Sequence, residues 1–378
     1  MNFDYSEEQQ LLAASIRRLV EKQYDFETRK AIVRSDAGVS DPTWRSLADL
    51  GLLALPLPAD AGGFDGGAVD LMSAMEAFGE ALLVEPYLAT IGLAAQAIRR
   101  GGEPAQRAAW LPRIATGELR MAFAHAERDA RYDLAHVGAR ARRVGGGYVL
   151  DGAKSVVLHA SCADAIVVSA RSAGADTDRD GISLFVVDSS NPGIGLTSYP
   201  TLDEMRAADL TLNGVEVTDD ARIGEEGAAL PLIEEAVDFA TALICAEAVG
   251  AMHYAVDATL EYLKTRKQFG VAIGSFQALQ HRMVDMVISS EQARSMASLA
   301  CTAVDTEKDV SRRKRMVSAA KVRIADACRH IAQESVQLHG GMGMTDEMKI
   351  SHTFRRLTAI AQQFGDADHH LERFASVA

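Results

Sequence analysis

The stretch Tyr262-Leu-Lys-Thr-Arg-Lys-Gln-Phe-Gly270 ends one long helical pattern, and Phe276-Gln-Ala-Leu-Gln-His281 opens the next. Basic residues in a last helical turn, followed by a glycine, are typical signals for the end of a helix. The sequence therefore predicts two separate helices joined here by a short loop.

Apolar stripes with steps of three and four residues surround this loop on both sides. They run from Cys245 to Leu263, from Phe276 to Val304 and from Val317 to Leu338. Steps of this size place apolar side chains on one face of a helix, and the many small residues allow close packing. The C-terminal part of the chain is therefore predicted to be an antiparallel helical bundle.

The middle of the chain, from about Met121 to Ile223, has strand signals instead. Gly147-Tyr-Val-Leu-Asp-Gly-Ala-Lys-Ser-Val-Val157 contains two β-prone runs around Asp151-Gly152, which is the chemistry of a tight hairpin turn. No helical period interrupts these signals, so an antiparallel sheet or barrel is favoured over a βαβ fold.

Helical periodicity also fills the N-terminal part, where Ser6-Glu-Glu-Gln9 has the side chains of a capping box. We therefore predict a mixed, mainly α fold with three domains. These are a helical domain at residues 1–120, a β domain at 121–226 and a helical bundle at 227–378.

The charge and composition of the chain exclude several classes of function. The 378 residues include 39 Lys+Arg and 52 Asp+Glu, which gives a net charge of −13. Such a chain lacks the basic surplus that nucleic acid or an anionic membrane requires. The four cysteines lie far apart, without disulfide or zinc spacing. The Glu-x-x-His pairs of a di-iron bundle are missing, so no metal site is expected.

The N-terminus and the apolar runs bear on location. The N-terminus is acidic where a signal peptide would be basic. The apolar stretch around Leu50 to Leu57 is interrupted by Pro56, so no membrane span is expected. The expected location is the cytoplasm.

Arg266 and Phe269, at the loop between the two helices, have two interpretations. A guanidinium binds phosphate bidentately, and an aromatic ring covers a base. Alternatively, Arg266 and Lys267 complement the helix C-terminus and Phe269 is a hydrophobic cap. A second junction, Gln337-Leu-His-Gly-Gly-Met-Gly343, is either a place of close backbone approach or a helix end followed by a turn.

Taken together, these motifs resemble those of the acyl-CoA dehydrogenase family of flavoenzymes. The resemblance covers nearly the whole chain and rests on five segments. These are Phe3-Asp-Tyr-Ser-Glu-Glu-Gln9, Trp44 to Gly63, Tyr148-Val-Leu-Asp-Gly-Ala-Lys154, Thr265-Arg-Lys-Gln-Phe-Gly270 and Gln337-Leu-His-Gly-Gly341.

The resemblance implies a β-barrel-like middle domain, a C-terminal four-helix bundle and a tetramer built as a dimer of dimers. It also implies that FAD is the cofactor and that its diphosphate and adenosine end is contacted across a dimer interface. The positions implied for that contact are Arg266, Gln268, Phe269, Gln277, Gln337, Gly340 and Gly341.

The family reaction converts an acyl-CoA thioester to the 2-enoyl-CoA. A carboxylate base removes the α-proton and a hydride leaves Cβ for the flavin, so the base must be desolvated enough to raise its pKa. An electron-transferring flavoprotein is the acceptor that the resemblance implies, and an oxygen-using oxidase stays open.

The position of the family base differs in this sequence. Gly365 stands where many members have a glutamate, and Asp366 is the nearest carboxylate. Other members carry the base on the helix that begins the bundle, where this chain has Ala240. Asp238 and Glu247 lie near that position, and Glu247 is equally well a buried structural carboxylate. A chain with no base of its own is the remaining alternative.

The flavin-facing segments differ as well. His125-Ala-Glu127 replaces a Leu-Thr-Glu run, and Val156-Val-Leu158 replaces an aromatic-Ile-Thr/Ser triplet, so hydroxyl donors to the flavin ring are missing. The chain resembles the smaller subunit of heteromeric family members, including those that act on dicarboxylyl and sterol side-chain thioesters. Two hypotheses follow: a self-sufficient homotetramer that uses Asp366, or a cofactor-completing subunit that needs a homologous partner chain.

Overall fold

The computed structural model describes residues 5–376. Phe3 and Asp4 of the N-terminal motif, and the outermost ends of the first and third predicted domains, lie outside these residues. The chain divides into two compact units. The bundle unit contains the chain up to Lys30, Ala68–Leu83 and the chain from Thr241. The β unit contains Ala31–Gly67 and Val84–Ala240.

The N-terminal helices confirm the predicted helical character of this part of the chain. Their bounds are α1 Glu7–Gln23, α2 Phe26–Arg34, α3 Asp41–Asp49, α4 Ala68–Ala81, a π-helical segment Leu88–Ala94, α5 Ala95–Gly101 and α6 Pro104–Ala115. The capping box at α1 is present. Gln9 N donates to Ser6 Oγ at 3.2 Å, and Ser6 N donates to Gln9 Oε1 at 3.0 Å. Both bonds satisfy amides that the helix itself leaves unpaired.

Strands of the β unit form one sheet of eight strands among the described residues. The strands are β1 Met121–Ala124, β2 Arg140–Val144, β3 Gly147–Leu158, β4 Ala165–Arg171, β5 Ile182–Asp188, β6 Ile194–Pro200, β7 Arg206–Thr218 and β8 Arg222–Ile223. Their order is β6-β7-β3-β2-β4-β5-β8, with β1 beside β4. Most ladders are antiparallel, as predicted, but β1 pairs with β4 in parallel, and β2 and β4 share one parallel pair.

The predicted hairpin at Asp151-Gly152 is wrong, because both residues lie inside the continuous strand β3. The register against β7 shifts between Leu150 and Gly152, so the glycine belongs to a bulge. Gly152 has φ +141°, and a Cβ there would lie 2.7 Å from the Cα of Ala139. A bulge and a turn call for the same glycine freedom, which the sequence does not distinguish. The hairpin turn before β3 is Gly145-Gly146, with φ +58° at Gly145.

Helices of the C-terminal part form the predicted bundle. They are α7 Leu230–Thr265, α8 Gln277–Thr306, α9 Val310–His339, α10 Lys349–Gln362 and α11 Ala367–Ser376. A short hairpin, β9 Lys267–Gln268 with β10 Val271–Ala272, connects α7 to α8. The short 3₁₀ turns of the chain are Ala59–Ala61, Ala160–Cys162, Asp219–Ala221, Ile273–Ser275 and Gly340–Met344.

Glycines allow α4 and α7 to pack closely. A Cβ on Gly79 would lie 1.8 Å from the carbonyl oxygen of Glu247, and one on Gly250 would lie 1.8 Å from that of Glu76. No side chain fits at either position, so small residues set the spacing of these helices.

Helix α7 is long and apolar enough, by length and composition, to cross a membrane. Of its most apolar window, 89% is buried inside the protein, which is typical of a core helix. This helix is longer than the apolar stretch around Leu50 to Leu57. The four cysteines are free thiols, and Cys245, Cys301 and Cys328 are buried in the bundle unit.

Candidate functional site

An aromatic contact brings the two helix junctions together. The ring of Tyr262, near the end of α7, stacks on the imidazole of His339 at the end of α9, with centroids 4.4 Å apart and planes 27° apart. His339 Nδ1 lies 2.7 Å from the carbonyl oxygen of Ser335, which accepts, so Nδ1 carries a proton. Burial lowers the pKa of His339. The loop after α7 and the loop after α9 therefore start from one shared contact.

The first junction is a tight, exposed hairpin. Arg266 N donates to Tyr262 O at 2.8 Å, and Ile273 N donates to Arg266 O at 2.8 Å, which closes the loop. Phe269 and Gly270 occupy its turn with φ +55° and +83°. Two successive positive φ values are typical of the type I′ turn that suits a two-residue hairpin.

Phe269 is 90% exposed, and its ring meets Phe276 edge-on at 6.2 Å between centroids. A hydrophobic cap would bury the ring within its own chain, so the structure contradicts that interpretation of Phe269. A bulky residue with positive φ also carries a backbone cost. An exposed aromatic ring held in this conformation is available for contact with a ligand or another chain.

Glycines of the second junction leave open space. Among the described residues, a Cβ on Gly340 or Gly341 would meet no atom within 4 Å beyond its chain neighbours. Gly340 has φ +61°, which itself favours glycine. Gly341 has neither a positive φ nor a close neighbour, so nothing within residues 5–376 accounts for its lack of a side chain. A group that approaches the backbone from outside would account for it.

Every residue of the predicted cofactor set is therefore exposed in this chain and lies at one of the two junctions. The set is Arg266, Gln268, Phe269, Gln277, Gln337, Gly340 and Gly341. Its role in binding FAD stays a prediction. The spatial association of the two junctions, through Tyr262 and His339, is not visible in the sequence.

Asp366, the predicted base, is a helix cap in this structure. Its Oδ1 accepts a hydrogen bond from His369 N at 2.9 Å, which satisfies an amide in the first turn of α11. The side chain is half-buried and lines a groove of about 330 Å³ beside Gln333, Phe354 and Gln362. A base role for Asp366 stays a prediction that competes with this capping bond.

The other two candidate carboxylates are buried. Glu247 Oε1 accepts from Arg356 Nε at 2.6 Å, and each of these residues is 4% exposed. This pairing favours the structural interpretation of Glu247 that the sequence left open. Asp238 is fully buried in the β unit.

The β unit holds a buried polar network that sequence reasoning missed. Lys154 Nζ donates to Glu127 Oε1 at 2.7 Å and to Ser169 Oγ at 2.9 Å, and His125 Nδ1 lies 2.9 Å from the same hydroxyl. Burial lowers the pKa of Lys154 to about 8. Burial and the nearby lysine lower the pKa of His125 to about 3, so its imidazole is neutral at pH 7. A lysine inside a strand-forming run was the available signal.

Val156, in the segment expected to face the flavin, has an unusual backbone. Its φ is +52°, a genuine outlier for a β-branched residue, and its side chain is 54% exposed. Asp209 Oδ1 holds this conformation by accepting from Val156 N at 3.1 Å and from the Tyr199 hydroxyl at 2.7 Å. The register against β7 shifts here, between Lys154 and Val157. Strain of this kind concentrates at functional sites.

The helical N-terminal part, the β middle part and the C-terminal bundle have the order that the resemblance to flavin-dependent acyl-CoA dehydrogenases implied. Three family profiles match consecutive parts of the chain. They are "Acyl-CoA dehydrogenase, N-terminal domain" at residues 6–118, "middle domain" at 122–215 and "C-terminal domain" at 230–377. The chain therefore belongs to the acyl-CoA dehydrogenase family, and the predicted enzyme class, an FAD-dependent oxidoreductase acting on CH–CH groups, is confirmed.

Comparisons with individual relatives and solved structures agree with this family assignment. The chain is 31% identical to acyl-CoA dehydrogenase FadE12 of Mycobacterium tuberculosis over 367 residues, which cover 95% of this chain and 93% of that relative. The solved ChsE4-ChsE5 complex from the same organism has a TM-score of 0.88 at 25% identity, with coverage of 100% and 98%. The FAD complex of PigA has a TM-score of 0.91 at 26% identity, also with coverage of 100% and 98%.

Proposed function

We propose that this chain is an acyl-CoA dehydrogenase subunit that completes an FAD site from the diphosphate and adenosine end. A homologous partner chain supplies the catalytic carboxylate and the flavin ring contacts. The observation that carries this proposal is the combination of an intact, exposed pair of junctions with a glycine at position 365.

The residues at the junctions fit the cofactor. The Arg266 guanidinium has the planar donor geometry that a diphosphate accepts, and Phe269 presents an exposed ring for an adenine. Gly341 leaves its backbone approachable. An anionic cofactor is compatible with a net charge of −13, because distant surface charges are screened while a direct guanidinium pair is not.

A bound FAD would supply the acceptor for the hydride that leaves Cβ of the thioester. The protein must remove the α-proton at the same time, and this step requires a carboxylate within reach of the substrate. Among the candidates in the described residues, Glu247 is paired with Arg356, and Asp366 caps α11. These existing contacts favour a carboxylate from a partner chain as the base.

The solved complex of two differently named chains, ChsE4 and ChsE5, supports such an assembly. We further propose a heterotetramer as the assembly, an electron-transferring flavoprotein as the acceptor and the cytoplasm as the location. The proposed substrate class is an acyl-CoA thioester. Activity assays with straight-chain, dicarboxylyl and sterol side-chain thioesters would identify its acyl chain.

Co-expression with homologous acyl-CoA dehydrogenase chains that carry a glutamate at the position equivalent to 365 tests the proposal. We expect a yellow, co-purifying complex with acyl-CoA dehydrogenase activity, while this chain alone purifies without tightly bound flavin. A yellow protein from this chain alone, reduced by acyl-CoA and inactivated by Asp366→Asn, would instead establish the self-sufficient homotetramer.

A further inference from the structure

Two buried side chains hold the loop between α10 and α11, residues 363–366, by its carbonyl groups. Lys321, fully buried on α9, donates from Nζ to Gly365 O at 2.7 Å and to Ala361 O at 3.3 Å. His370, 2% exposed on α11, places Nε2 3.1 Å from Phe364 O. Two successive loop carbonyls are therefore bound from inside the bundle unit.

The tautomer of His370 follows from its contacts. A carbonyl oxygen only accepts, so Nε2 carries the proton and Nδ1 accepts from the Ser318 hydroxyl at 3.2 Å. Burial, with the charges of Lys321 and Arg373, lowers the pKa of His370 to about 2. The imidazole is therefore neutral at pH 7, and each ring nitrogen has a fixed partner.

The loop conformation that these bonds hold admits only glycine at position 365. Phe364 has φ +61° and Gly365 has φ +120°. A Cβ at 365 would lie 2.5 Å from Cδ2 of His369 and 2.7 Å from Nε2 of His370. The His370 ring cannot rotate away without breaking both of its hydrogen bonds.

Asp366, the next residue, is also held by hydrogen bonds. Besides the bond from His369 N to its side chain, the Asp366 carbonyl accepts from His370 N at 3.1 Å. The loop is thus fixed on both sides of Gly365, by the carbonyl contacts before it and by the helix cap after it.

We propose that Lys321 and His370 are positioning residues that keep position 365 closed to any side chain, so that this position cannot carry a carboxylate base. The inference rests on the proposed function and deepens it. The absence of a glutamate at position 365 then follows from the conformation of the whole loop. A single substitution at Gly365 is therefore not expected to restore a base.

Hydrogen–deuterium exchange of the full-length chain, without cofactor or partner, tests the loop directly. We expect Lys321→Met to raise exchange of the amides at 363–370 at least tenfold, while amides of α1 stay unchanged. Unchanged exchange at 363–370 in Lys321→Met would overturn the proposal.

A matched pair at His370 separates positioning from general packing. Gln keeps an N–H donor for Phe364 O, whereas Leu of similar size does not. We expect His370→Gln to restore most of the loop protection that His370→Leu loses. Equal exchange in the two variants would contradict a role for the hydrogen bond, and this test stands even if Lys321→Met does not fold.

Substitutions of Gly365 test the closure. Gly365→Ala is expected to lower the thermal midpoint and to raise loop exchange, in contrast to Gly146→Ala, where a Cβ meets open space. Gly365→Glu is expected to show no dehydrogenase activity in the chain alone. A stable, active Gly365→Glu chain would overturn the closed loop. If the loop data hold while the wild-type chain alone oxidises acyl-CoA, the proposed function fails and the closure stands.

Discussion

The ring of Tyr262 stacks on the imidazole of His339 at 4.4 Å and links the two junctions that carry the predicted cofactor residues. Removing this contact is expected to affect both loops together. Stacked aromatic pairs contribute about 1 kcal/mol beyond their buried area, which corresponds to about a fivefold change in an equilibrium constant.

Tyr262→Leu is therefore expected to lower the stability of the chain by about 1 kcal/mol in urea unfolding and to weaken FAD binding by about fivefold. Tyr262→Phe keeps the ring and serves as the control, with both values near those of the wild type. Loss of stability without any change in FAD binding would show that the stack does not position the junctions for the cofactor.

Arg266→Ala is expected to weaken FAD binding by about 10- to 100-fold, because a charge-assisted phosphate contact contributes about 1.5–3 kcal/mol. Lys264→Ala, two residues before Arg266 in the last turn of α7 and paired with Glu261, is the matched control. The measurement is the equilibrium binding of FAD, followed by flavin fluorescence, to the complex with its partner. Equal affinities of the two variants would refute the assignment of Arg266.

The buried pair of Glu247 and Arg356 predicts a stability effect that a catalytic base would not produce. Arg356→Met leaves the Glu247 carboxylate buried without this partner, at a cost of about 3–5 kcal/mol. The double variant Glu247→Gln/Arg356→Met is expected to recover most of that loss in urea unfolding. An additive, uncompensated loss in the double variant would contradict a structural ion pair.

The burial of Glu85 in the β unit predicts that the stability of the protein depends on pH. Its carboxylate, 3% exposed, accepts from Ser40 N at 3.0 Å, and burial raises its pKa to about 8. The folded state therefore retains a proton that the unfolded state loses above pH 4.5, so this contribution to stability falls as the pH rises from 4.5 to about 8.

Glu85→Gln keeps a neutral side chain at every pH. Relative to this variant, the wild type is expected to lose several kcal/mol of stability between pH 5 and 8, measured by urea unfolding at each pH. A constant difference between the two proteins across that range would contradict a protonated Glu85 in the folded state.

Local sequence patterns predicted the features that depend on neighbours along the chain. The Ser6 and Gln9 capping box and the long apolar stripes of α7, α8 and α9 are of this kind, because capping and helical periodicity are local properties. Asp151-Gly152 was assigned to a hairpin instead of a bulge, because the glycine conformation is common to both and only the approach of Ala139 distinguishes them.

The candidate site depends on contacts between residues far apart in the sequence, which local patterns do not contain. The resemblance grouped Arg266 with Gly340, but the contact that joins their loops is the stack of Tyr262 on His339. The sequence showed that Gly365 stands where many family members have a glutamate. Its exclusion of any side chain comes from Lys321, 44 residues earlier, and from the histidines after it.

Above all, we propose that this chain completes a flavin site without supplying the base. The direct test is an anaerobic titration of the purified chain with acyl-CoA thioesters, with free FAD added and no partner chain present. We predict that the visible absorbance of the flavin persists at saturating thioester and bleaches only after the base-carrying partner is added. Bleaching of the flavin by the chain alone would instead show that this chain carries its own base.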